Sequence, residues 1–196
     1  GRCAPHYSVG MAESIDPYRT VRAAHSEFYE LRGLRLHALR WGRLQDCTPE
    51  RPALVMVHGW ADIGASFQFV VDALARLEGP QPCIIAPDWR GFGLSSNSGS
   101  DAYWFADYLG DLDALIDHLS PDSPVDLLGH SMGGNVVMSY AGARPKRIRR
   151  LVNLEGFGLP KADPQDAPAR LAKWLDELKS PQAFRGFDHA AAVTAR

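Results

Sequence analysis

Along this chain the spacing of apolar positions changes several times, and each change marks an element. Two strand-like runs, EFYELR and LRLHALRW, flank Gly33 between Glu27 and Trp41. Leu34, Leu36 and Ala38 alternate with polar residues there, which predicts a β-hairpin. Beyond Pro49 and Pro52, ALVMVHG at 53–59 is short, continuously apolar and closed by glycine, as suits a strand buried on both faces. Phe67, Val70, Val71, Leu74 and Leu77 then share one face of a helix predicted over 66–77. CIIAPD at 83–88 is a second buried strand. The next helix is predicted to start at an Asp101 cap, to carry Phe105, Leu109, Leu112, Leu115, Ile116 and Leu119 as its apolar stripe, and to stop at Pro121. VDLLGH at 125–130 is a third strand, a helix follows from about 132 to 143, and RRLVNLEG at 149–156 is a fourth strand. Strand and helix alternate from residue 53 onward, which predicts an α/β fold: a parallel sheet with helices on both faces.

The two ends read differently. Residues 1–24 lack periodicity and are expected to be an extension outside the fold, with the core over 25–160. After Gly158, the prolines at 160, 164 and 168 sit in an acidic, alanine-containing linker, and Leu171, Trp174, Leu175 and Leu178 then recur at helical spacing. This last helix has no strand behind it. Residues 161–196 are therefore expected to begin a helical cap over the sheet.

Candidate chemistry concentrates where strands meet turns. Gly129-His130-Ser131-Met132-Gly133 fits G-x-S-x-G between a predicted strand and a predicted helix. Small flanking residues let the chain turn sharply and raise the serine oxygen above the carboxyl edge of the sheet, while the N–H of Met132 and the helix N-terminus face the reacting centre. The plainer reading is a turn with a capping serine. His58-Gly59-Trp60 closes the first buried strand. Acyl transfer needs two N–H donors for the developing oxyanion, and Trp60 is the candidate for the second, with Gly59 permitting the turn. Here the plainer reading makes Trp60 a core aromatic.

These motifs, together with DWRGFGLS at 88–95, occur in the order and spacing of the α/β-hydrolase superfamily, which the chain resembles over about residues 27–160. The resemblance implies that Asp88, Arg90, Gly91 and Gly93 shape the loop after the second parallel strand, with Asp88 and Arg90 as a structural pair or as loop anchors. Related dehalogenases and epoxide hydrolases carry aspartate at the turn, so Ser131 argues for acyl transfer through a covalent acyl-enzyme. The family order of Ser, then acid, then His makes Glu155 a candidate orienting carboxylate, the alternative being a strand-end carboxylate at the start of the cap. His189 satisfies that order but follows a cap-like helix rather than a strand. The catalytic histidine is therefore expected beyond residue 196, and the chain alone is expected to be inactive. His58 and His130, beside the two turns, are expected to shape the substrate pocket. The rival is a non-catalytic binding protein on the same fold.

Composition narrows this further. A formal net charge of −2 gives no reason to expect nucleic acid, and no apolar run reaches the roughly 18 residues of a membrane span. Three cysteines without metal-ligand spacing suit a reduced, cytoplasmic protein, with Cys83 as a buried thiol. The scattered histidines predict no metal site, and a small-molecule acyl substrate needs no cofactor. Lys146, Arg147, Arg149 and Arg150 form a basic run, read as a solvated loop or as a contact for an anionic substrate or partner.

Overall fold

The computed structural model describes residues 18–97, 99, 103–158, 161 and 163–179. These fall into two units, one ending at Phe157 and the other starting at Gly158. The first holds a six-stranded sheet of β1 (His25–Leu31), β2 (Leu34–Trp41), β3 (Leu54–Val57), β4 (Ile84–Pro87), β5 (Val125–His130) and β6 (Ile148–Leu154), in the order β1-β2-β4-β3-β5-β6. The last four strands run parallel, as their apolar character predicts. The hairpin joins the same sheet through antiparallel pairing of β2 with β4, so the sheet is mixed.

Strand periodicity sorts the core into two layers. Val55 and Val57 of β3, Ile85 of β4 and Leu127 of β5 pack on one face against α2 (Phe105–Leu119) and α3 (Met132–Ala143). Met56, Ile84, Ala86 and Leu128 point to the other face, against Trp41 of β2 and against Phe67 and Val71 of the α1 region (α1, Gln68–Ala75). Helices thus cover both faces, as the alternating pattern requires.

Three segments show detail that the sequence pattern does not carry. The helix expected over 66–77 is a 3₁₀ turn, Gly64–Phe67, followed by α1, and only Phe67, Val71 and Leu74 of the five apolar residues pack inward. Val70 lies at the edge of that stripe and Leu77 lies beyond the helix end, and both are exposed. The helix start is Phe105, where the Asp107 carboxylate accepts from the N–H of Trp104; the expected Asp101 cap lies outside the described residues. Part of the extension, from residue 18, is described. Tyr18 Oη and the Arg22 N–H both donate to the buried carboxylate of Asp72, and Gln68 donates to the Arg22 carbonyl. Residues 18–24 are therefore tied to α1.

The second unit contains α4 (Ala167–Lys179), close to the predicted cap helix. Asp163 caps the short turn before it by accepting from the N–H of Gln165. The side chains of Trp174 and Leu178, like residues 180–196 with His189, lie outside the described residues.

Candidate active site

The chain leaves β3 for β4 on one side and reaches β5 on the other, so the carboxyl ends of β3 and β5 lie side by side where the strand order reverses. In open α/β sheets that crevice is where ligands bind. His58-Gly59-Trp60 follows β3 there, and Ser131 follows β5.

Ser131 sits in a backbone conformation that side-chain-bearing residues rarely adopt, with φ 52° and ψ −116°. Such strain persists only where the surroundings over-determine it. Here the Ser131 N–H donates to the Leu154 carbonyl at 2.8 Å, and its own carbonyl accepts from Asn135 N–H at 3.1 Å. The glycines around it are sterically required. A Cβ on Gly129 would collide with the backbone of Gly133, and one on Gly133 would collide with the carbonyl oxygens of Val57 and His58. A Cβ on Gly59 would stand 3.1 Å from Ser131 Cβ and 3.3 Å from His130 Nδ1, so the two turns touch. The N–H groups of Trp60 and Met132 make no hydrogen bond among the described residues.

The Trp60 side chain is 67% exposed, with its ring edge-on to Phe92 at 5.4 Å. That removes the core-aromatic reading and leaves the Trp60 backbone as the part of the residue beside the serine turn. His58 is fully buried. Its Nδ1 donates to the Gly59 carbonyl at 2.7 Å, and its Nε2 accepts from Trp89 N–H at 3.0 Å. Burial pushes its pKa below the ordinary imidazole value. With both ring nitrogens committed, His58 ties the Gly59-Trp60 turn to the loop after β4. Trp89 Nε1 returns a second bond to the His58 carbonyl at 2.9 Å. His130 is partly exposed, and its Nε2 lies 4.0 Å from the Glu155 carboxylate. Glu155 has φ 64° and a side chain that is 74% exposed.

The loop after β4 is anchored by two separate systems. Asp88 accepts from His37 Nδ1 at 2.7 Å, Gly64 N–H at 2.7 Å and Leu94 N–H at 2.9 Å. Gly93, at φ 53°, passes so close to this carboxylate that a Cβ would overlap it. Arg90 instead grips Asp111 of α2 through two bonds, Nε at 2.6 Å and Nη2 at 2.7 Å. Asp88 and Arg90 are loop anchors and not partners of each other. The roles of His37 and Asp111 carry no local sequence signal, because their partners lie 51 and 21 residues away. Asn153, also unmarked in the sequence, exchanges two hydrogen bonds with Gly156 beside Gly134.

The profile of the alpha/beta hydrolase fold matches residues 52–190. The chain belongs to the α/β-hydrolase superfamily. It is 32% identical over 175 residues to cis-3-alkyl-4-alkyloxetan-2-one decarboxylase of Shewanella oneidensis, covering 86% of this chain and 50% of that protein. It is 29% identical over 165 residues to a serine hydrolase-like protein of Danio rerio, covering 81% and 46%. Among solved structures it resembles the thioesterase domain from the curacin biosynthetic pathway, with TM-score 0.64, 32% identity, and 82% and 54% coverage. The chain spans about half the length of the curated relatives it matches. Among the described residues no helix is long and apolar enough to cross a membrane.

Proposed function

We propose that the protein is a serine hydrolase acting on a small-molecule ester or related acyl compound through a covalent acyl-enzyme on Ser131. The observation that carries this reading is the strained Ser131 backbone, held at φ 52° in a turn that touches Gly59, with the N–H groups of Trp60 and Met132 making no hydrogen bond among the described residues. In the first step Ser131 Oγ adds to the substrate carbonyl carbon, and the carbonyl electron pair moves onto its oxygen. Trp60 and Met132 N–H donate to that oxygen, a contribution worth about 10²–10³ in rate for one such donor. A histidine supplied from outside the described residues takes the hydroxyl proton and passes it to the leaving alcohol or thiol. Water then repeats the sequence and releases the acid. Glu155, at the end of β6, is the proposed carboxylate that orients this histidine. None of these steps uses a metal or an organic cofactor.

The relatives' names support the acyl class. An oxetan-2-one is a cyclic ester, and a thioesterase cleaves a thioester. Both substrates contain an acyl carbonyl, although the first of these relatives is named for a decarboxylation. The test is labelling with a fluorophosphonate probe, which phosphonylates activated serines. Ser131 is expected to be the labelled residue and Ser131→Ala to abolish the signal. Labelling unchanged in that variant would remove the proposal in favour of a binding protein or another nucleophile.

A further inference from the structure

A second hollow, of about 540 Å³, lies at the opposite end of the parallel strands. Its walls include Leu54 at the start of β3, Cys83 just before β4, and Asp126 and Arg150 near the starts of β5 and β6. Asp126 and Ser131 are five residues apart along β5, or roughly 16 Å of extended chain, so this hollow is separate from the serine turn.

Its charge is unbalanced. Five arginines line it, against the two carboxylates of Asp46 and Asp126. Both carboxylates are already engaged. Arg149 grips Asp126 through two hydrogen bonds, and Arg43 pairs with Asp46 at 3.2 Å. The other three guanidinium groups, on Arg22, Arg51 and Arg150, make no ion pair with a carboxylate among the described residues. Arg22 is the most constrained. Its Nη2 donates to the Pro82 carbonyl at 2.8 Å, while its Nη1 is shut away from solvent with no partner. A part-buried guanidinium with no carboxylate beside it favours an anion at its exposed edge. Burial also lowers the Arg22 pKa, as expected for a cation lacking a counter-charge.

The planar guanidinium fork matches phosphate oxygens two at a time. A terminal phosphate brings roughly −1.5 to −2 charges and the bridging phosphate about one more, so a diphosphate balances three arginines. Leu54, Leu74 and Pro82 add an apolar wall, and the volume lies within the range of about 300–1,000 Å³ usual for small-molecule sites. We propose that this hollow binds a small molecule bearing a diphosphate group, at the end of the sheet remote from Ser131. The basic run of the sequence then divides by role. Arg147 holds the carbonyls at the end of α2, Arg149 holds Asp126, and Arg150 serves the ligand.

The test is titration calorimetry of the protein with inorganic pyrophosphate, with citrate as a polycarboxylate of similar charge. Pyrophosphate is expected to bind with one-to-one stoichiometry, at least tenfold more tightly than citrate, and more weakly as salt rises. Arg51→Ala and Arg150→Ala alter exposed side chains that hold nothing else in place, so their melting temperatures should match the parent's. Each should weaken pyrophosphate binding about tenfold or more, the effect of losing one charge-assisted contact. Lys146→Ala, outside the hollow, should leave binding unchanged. No saturable binding, equal affinity for citrate, or parent-like affinity in the Arg51→Ala/Arg150→Ala double variant would overturn the proposal.

Discussion

The backbone N–H of Ser131 donates to the carbonyl of Leu154 across 2.8 Å, joining the serine turn to the end of β6. Glu155 is the next residue, so the proposed nucleophile and the proposed acid leave the sheet from adjoining strand ends. Glu155→Gln is expected to lower kcat by roughly 10⁴, the effect of disabling a triad carboxylate in other hydrolases. Its melting temperature should not move, because the side chain is 74% exposed. Steady-state kinetics decides this, and a loss under about tenfold would assign the acid to another residue.

Gly133 and Gly142 lie on the same helix and should respond in opposite ways to the same substitution. A Cβ at Gly133 would collide with two carbonyl oxygens of the neighbouring chain, while one at Gly142 would enter open space. Gly133→Ala is expected to cost at least about 1–3 kcal/mol, and Gly142→Ala to stabilise by about 0.5–1 kcal/mol. Thermal melts of the two variants read both signs, and a stable Gly133→Ala protein would contradict the tight elbow.

Asp111 takes two bonds from Arg90 and a third from Arg32, and both Asp111 and Arg90 are buried. Asp111→Ala removes both of these short bonds to Arg90 and leaves the longer contact with Asp107, at 3.4 Å. A loss of about 3–5 kcal/mol in urea denaturation is expected. A loss below about 1 kcal/mol would mean that the loop after β4 is held by Asp88 alone.

His58 makes stability depend on pH. Its folded-state pKa is depressed by burial, so the unfolded chain binds the proton more readily. Its contribution is complete above the unfolded value near 6.5 and is lost as pH falls below it, toward the folded pKa, at up to about 1.4 kcal/mol per pH unit. Urea denaturation at pH 7.5 and 5.5 should show this drop, and His58→Gln should flatten it whatever its absolute stability. An equal slope in the variant would place the titration elsewhere.

The sequence makes the strands, α3 and the serine turn legible because each rests on local pattern. VDLLGH and the glycines around Ser131 carry their own signals of burial and turning. What it hides depends on distance. His37 reads as one residue of an alternating strand, yet it meets Asp88 across 51 positions. Asp111 sits on a helix where acidic residues are ordinary, and only folding brings Arg90 and Arg32 to it. Val70 and Leu77 show the opposite failure. They have the right spacing for a longer helix, but the 3₁₀ turn before Gln68 and the stop at Ala75 leave them in solvent. The basic run at 146–150 hid its division of labour for the same reason, since its partners lie on α2 and β5.

The most direct measurement of the central claim is the mass of the Ser131 peptide after brief reaction of the full-length protein, which carries the base histidine, with p-nitrophenyl butyrate and an acid quench. A butyryl adduct on Ser131 is expected, formed with a burst of p-nitrophenol. Ser131→Ala should lose both the adduct and roughly 10⁶-fold in turnover. Turnover that survives the substitution, or an acyl group found on another residue while Ser131 stays unmodified, would contradict the account.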